Sequence, residues 1–114
     1  MTDFQEISQA LIKFRDERDW AQFHDTKNLA IALSIEASEL NEILLWKNQS
    51  RIEQEDLEKI KEELADIFAY AFLLAEKNKL NVKQIILDKI KKNELKYPIE
   101  KSKGNSKKYK YLQK

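Results

Sequence analysis

The sequence predicts an all-α protein, an antiparallel four-helix bundle that needs self-association to close its core. Gly and Pro occur once each in 114 residues and 36% of the residues are charged, a composition that favours long helices with few tight turns. Apolar residues recur at three- and four-residue steps along the chain, the period of one helix face. On the third helix the pattern is too wide for one face, because Ile67, Phe68, Ala71, Phe72, Leu74 and Ala75 cover more than one side. A helix apolar over so much of its circumference is buried on several sides, which in a chain this short implies a partner subunit, as a homodimer or a homotetramer.

The first helix starts at Thr2 or Asp3 and runs to about Arg18, with Phe4, Ile7, Leu11 and Phe14 as its stripe. Residues 19–27, DWAQFHDTK, are aromatic and polar without helical period and read as a loop. Asp25 or Thr26 caps a second helix that extends to about Lys47. Ser50 and Glu53 have the spacing of a capping box, which opens a third helix running to about Lys79. Asn81 begins a fourth, which stops around Tyr97 because Pro98 cannot continue it. The domain reading is a helical body, residues 1–98, and a basic tail, residues 99–114.

Carboxylates interrupt the apolar pattern. Glu36 lies three residues after Leu33 and four before Leu40, so it points into the stripe of the second helix. Glu39 follows one turn on, and Glu63 and Asp66 repeat the spacing on the third helix. Unpaired carboxylates in a helix core are costly and call for a cation or hydrogen-bond donors. Four from two facing helices make a hard-oxygen cage suited to Mg²⁺, with Mn²⁺ as the alternative. The bland reading is a surface charge cluster; the conjunction of two pairs beside core positions favours the cage. Beyond Glu63 and Asp66, Tyr70 and Lys77 continue one polar seam along which a phosphate chain can lie. Trp20 and Trp46 offer faces on which a base can stack, although each taken singly fits packing of an oligomer seam equally well. Asn93 on the fourth helix is a further donor toward a ligand. His24 reads as a structural hydrogen bonder.

Several chemistries are excluded. With no Cys, thiol chemistry, disulfides and Cys-based zinc sites are out. The only His lies outside both carboxylate pairs, against a di-iron site. One Gly leaves no P-loop or dinucleotide fingerprint. No apolar run reaches the roughly 18–20 residues of a membrane span, and MTDFQEIS is unlike a signal peptide, so a cytoplasmic protein is expected. From Ile99 onward six Lys stand against one Glu, a local +5, which leaves −4 for residues 1–98 out of the net +1. An acidic body with a basic tail is not a duplex nucleic-acid surface. It suits a metal-holding body with a tail that meets an anionic ligand.

These residues together resemble a family. Glu36-x-x-Glu39, then after 23 intervening residues Glu63-x-x-Asp66, is similar to the metal motif of the all-α nucleoside triphosphate pyrophosphohydrolases of MazG type. Arg18-Asp-Trp-Ala-Gln-Phe-His24, Lys27-Asn28-Leu29, Glu63-Leu-Ala-Asp66-Ile and the run from Asn93 to Tyr97-Pro98 resemble its single-domain branch, which includes dCTP pyrophosphatases. Lys103-Gly104-x-Ser106-x-Lys108-Tyr109 is similar to that branch's C-terminal segment and implies a tail ordered over the active site.

The resemblance implies Mg²⁺-dependent cleavage of a (deoxy)nucleoside triphosphate to monophosphate and pyrophosphate. It makes Glu36, Glu39, Glu63 and Asp66 the metal ligands. Tyr70, Lys77 and Asn93 would contact phosphates or sugar, and Trp20 and Trp46 would line the base pocket. Glu39 is taken as the general base, with Glu36 beside it. Leu11 stands where cytosine-preferring relatives carry a base-reading His, which separates the hydrolytic chemistry from any cytosine preference. The rival reading is a non-catalytic helical oligomerisation or sensor module that binds metal and nucleotide without turnover.

Overall fold

A computed structural model describes residues 1–112, without the side chains of residues 53–55. Seven α-helices and no strand occur among the described residues: α1 (Asp3–Glu17), α2 (Thr26–Leu44), α3 (Gln49–Glu55), α4 (Leu57–Lys77), α5 (Val82–Lys96), α6 (Ile99–Ser102) and α7 (Tyr109–Leu112). A 3-10 turn, Ala21–Phe23, interrupts the loop expected over residues 19–27. The all-α class and the four long helices agree with the sequence reading. No described helix is long and apolar enough to cross a membrane.

Local chemistry accounts for most of the boundaries. Thr2 and Gln5 form a reciprocal capping box at the start of α1. The Asp25 side chain accepts from the Asn28 amide at 2.7 Å, and that of Asn81 accepts from the Gln84 amide at 2.9 Å. With so little glycine, α1 and α4 end on left-handed residues that carry side chains, Asp19 at φ 54° and Lys79 at φ 56°. In both, the next amide reaches back five residues, Trp20 to the Arg15 carbonyl and Leu80 to the Ala75 carbonyl, closing a Schellman-type end.

Two boundaries depart from expectation. The second helix stops at Leu44, not Lys47, because Leu45 is extended and Trp46 takes φ 63°. The long third helix is divided at Asp56, whose backbone (φ −108°, ψ 0°) belongs to neither piece. Asp56 is 3% exposed and accepts a 2.7 Å ion pair from Lys47, and this buried contact holds the break. The first piece is capped by Asn48, which accepts from the Arg51 amide at 3.0 Å. Ser50 donates to the same Asn48 oxygen. The Glu53 side chain of the expected capping box lies outside the described residues.

The chain forms two compact units, Met1–Leu80 and Asn81–Lys114. In the first, α2 and α4 pack antiparallel along most of their length. Thr26 at the start of α2 meets Asn78 after the end of α4 at 3.3 Å, and Lys47 meets Asp56 at the other end. Leu29 of α2 and Phe72, Leu73 and Ala75 of α4 are the buried core of this unit. α1 joins through Phe4 against Phe72, with ring centroids 5.6 Å apart, and through Arg15 to Glu76 at 3.1 Å. Of the predicted apolar face, Phe72 and Ala75 are buried, Ile67, Ala71 and Leu74 are half-buried, and Phe68 stays 57% exposed in one chain. The second unit carries α5, α6 and α7, where Ile85, Ile86 and Ile90 are likewise exposed and Tyr97 stacks edge-on against Tyr109.

Candidate active site

Antiparallel packing of α2 on α4 brings the carboxylate pairs together. Glu36, Glu39 and Glu63 each offer an oxygen within 4.8 Å of the others. Glu36 and Glu63 are half-buried, and each turns one oxygen, Oε2, away from solvent with no hydrogen-bond partner. Buried acceptors are almost always satisfied, so two unpartnered carboxylate oxygens beside a third carboxylate form a donor set that a divalent cation would satisfy. All donors are hard oxygens, the set that suits Mg²⁺ or Mn²⁺. Asp66 stands one turn further along α4, exposed and outside this trio. It is still close enough that its charge raises the pKa of both Glu36 and Glu63.

The electrostatics report crowding. Desolvation, followed by hydrogen bonding with Glu39 and Glu63 and the charges of Glu39 and Asp66, pushes the Glu36 carboxyl up from 4.5 to about 7. Glu63 is also raised, through a balance in which its hydrogen bond with Glu36 lowers it while desolvation and the neighbouring carboxylates raise it. The Tyr70 phenol is raised first by burial and then by the charges of Glu36, Asp66 and Glu39, and Tyr70 lines a cavity together with Asp66.

Two cavities flank the carboxylates. The smaller, about 110 Å³, is lined by Leu11, Phe14, Trp20, His24, Asp66 and Tyr70, among others. Trp20 is held edge-on by Phe14, with ring centroids 5.7 Å apart, and the Arg18 guanidinium covers the Phe14 ring at 3.7 Å. His24 Nδ1 is closed off without a partner, and burial followed by the Arg15 charge lowers its pKa, so the imidazole is neutral at physiological pH. The larger cavity, about 430 Å³, is lined by Glu39, Glu42, Ile43, Lys47, Lys59 and Glu63.

Of the residues singled out from sequence, Glu36, Glu39, Glu63, Asp66, Tyr70 and Trp20 thus lie in one region. Trp46 is 92% exposed on the turn after α2. Lys77 sits eleven residues beyond Asp66 on α4, about 16 Å along the axis. Asn93 lies on α5 in the second unit, beside Ile86, Lys89 and Ile90. Sequence reasoning passed over Lys59, although its four-residue spacing to Glu63 was visible, and took Lys47 only as a helix end.

The MazG-like family profile matches residues 31–112. Curated relatives named dCTP pyrophosphatase 1 align over 110 residues, at 32% identity in Mus musculus and 34% in Bos taurus, each covering 92% of this chain. The chain spans 65% of the length of those relatives. A crystal structure of a pyrophosphatase from Archaeoglobus fulgidus superposes with a TM-score of 0.77 at 38% identity, covering 86% of this chain and 94% of that one.

Proposed function

The chain belongs to the MazG-like family, and from that premise we propose that it is a cytoplasmic nucleoside triphosphate pyrophosphohydrolase that releases a nucleoside monophosphate and pyrophosphate. The observation that carries this reading is the trio of carboxylates from α2 and α4 within 4.8 Å of one another, two of them with a buried oxygen lacking a partner. Its relatives, dCTP pyrophosphatase 1 and the archaeal pyrophosphatase, agree with it.

Glu36, Glu39 and Glu63 would hold a divalent cation, Mg²⁺ or Mn²⁺, with Asp66 as the fourth carboxylate. When bound there, the ion neutralises phosphate oxygens and acts as a Lewis acid on the phosphoryl group. Glu39 accepts the proton of the attacking water. Glu36 and Glu63, each with a buried unpartnered oxygen, would fix where that cation sits and so where a phosphate can meet it. Tyr70, which lines the smaller cavity with Asp66, donates to the phosphate chain or sugar. The cavity with Trp20 and Tyr70 is too small for a whole nucleotide and suits one flat ring, leaving the sugar and phosphates over the carboxylates.

The exposed apolar surface supports self-association. Phe4, Ile7, Leu11, Ala65, Phe68 and Phe72 line an apolar groove of about 450 Å³ on α1 and α4. A second copy of the chain, in a dimer or a tetramer, would bury it. Phe68→Asp should yield a smaller species in sedimentation; an unchanged mass removes this face from the interface.

The deciding experiment is a panel of canonical and modified nucleoside triphosphates, with Mg²⁺ or with chelator, read for pyrophosphate and monophosphate. Turnover that needs the metal supports the reading. Binding without turnover on every substrate would favour a non-catalytic nucleotide sensor.

A further inference from the structure

We infer that Lys47 and Lys59 form the polyphosphate-binding edge of the active site, with the buried Asp56 as the positioning residue for Lys47. This rests on the hydrolytic reading above and assigns its anion contacts to residues that neither the family motif nor the polar seam singled out.

The geometry begins with the chain reversal after α2. Trp46 adopts φ 63° and the Lys47 amide bonds back to the Leu44 carbonyl at 3.2 Å, which turns Lys47 toward the start of α4. There its ammonium donates to Asp56 Oδ1 at 2.7 Å, and the Lys47 side chain is only 21% exposed. A buried ion pair is an inefficient way to gain stability, because desolvation consumes most of the attraction. What it does supply is a cation with a fixed position, which loses less side-chain entropy when an anion arrives. Asp56 spends one oxygen on Lys47, while its other, Oδ2, is buried without a partner.

Lys59 comes from the other wall. It precedes Glu63 by one helical turn, so the two share a face of α4. Lys59 is exposed and makes no hydrogen bond or ion pair among the described residues. Lys47 and Lys59 line the same cavity as Glu39 and Glu63, and its volume of about 430 Å³ falls within the roughly 300–1,000 Å³ of small-molecule sites. A polyphosphate chelating a divalent ion needs this mixture: the ion meets the carboxylates, and the outer oxygens meet ammonium groups through charge-assisted hydrogen bonds. Lys77, about 16 Å past Asp66, has no place in that arrangement within one chain.

The test uses the full chain and inorganic tripolyphosphate with Mg²⁺, titrated calorimetrically, alongside steady-state kinetics on whichever triphosphate the wild type accepts. Lys59→Ala and Lys47→Met should each weaken tripolyphosphate binding about tenfold, with a comparable rise in KM. Lys61→Ala, whose lysine pairs with Glu58 at 3.2 Å, should change neither. Asp56→Asn should weaken binding alone but cost nothing further in the Lys47→Met background, because Asp56 acts through Lys47. Wild-type affinity and KM in both Lys59→Ala and Lys47→Met would overturn the assignment while leaving hydrolysis untouched. A wild type that binds tripolyphosphate through these lysines yet cleaves no nucleotide would sink the hydrolytic reading and keep the anion site.

Discussion

The two cavities beside the carboxylates are built from opposite chemistry. On the Asp66 side the walls are Phe14, Trp20, Tyr70 and a neutral His24, and the space is about 110 Å³. On the Glu39 side the walls carry Glu42, Lys47 and Lys59, and the space is about four times larger at 430 Å³. The first is walled mostly by apolar and aromatic side chains, with Arg15 and Asp66 at its edge, and has room for one ring. The second is open and lined by both signs of charge, with lysines that on the proposed reading meet phosphate oxygens whatever base is attached. On the proposed function, discrimination between nucleotides would belong to one side and hold on the phosphates to the other, with the carboxylates as the divide.

The largest effect is expected at that divide. Glu36→Gln keeps the shape but removes the charge, and turnover should fall by more than about a hundredfold, since even residues that merely support metal ligands cost 10–100-fold. Pyrophosphate release measures this, and an unchanged helical circular-dichroism signal shows that the fold survives. Full activity would take Glu36 out of the site.

A smaller effect separates the two sides. Trp20→Ala should raise KM about tenfold and flatten the preference among bases, whereas Lys59→Ala should weaken every triphosphate by the same factor. Equal flattening in both variants would show that the cavities do not divide the work.

The smallest effect is in pH. The Glu36 carboxyl is raised from 4.5 to about 7, so between those values the folded chain binds more protons than the unfolded one. Stability of the metal-free protein should therefore fall as pH rises from about 5 to 8. Divalent cations compete with that proton, so their affinity should climb over the same range and level off near pH 7. Thermal melts with chelator should fall with pH while saturating Mg²⁺ should leave them nearly flat, and Glu36→Gln should flatten the metal-free slope.

Much of the site was legible because it is local. Glu36 between Leu33 and Leu40 points inward on any helix that buries those leucines, and Glu63 follows from the same period. Caps at Thr2, Asp25 and Asn81 sat where their side chains can reach an orphan amide. Other features were not legible. The seam through Asp66, Tyr70 and Lys77 is a true helix face, but a face runs on while a binding site stops, and rise along the axis carries Lys77 away. The division at Asp56 was hidden because residues 49–77 keep helical composition across it. Trp46 shows in sequence as a large aromatic closing a helix, yet its left-handed backbone leaves the ring in solvent in one chain.

Sequence alone determined the helical class, the positions of most of the long helices and the inward placement of Glu36 and Glu63, because helix period and capping act over three or four neighbours. Only the tertiary structure decided which carboxylates share a space, where the second helix stops and which lysines reach them. Those outcomes depend on antiparallel packing of α2 against α4 and on a buried Lys47–Asp56 pair, contacts between residues whose spacing carries no local signal.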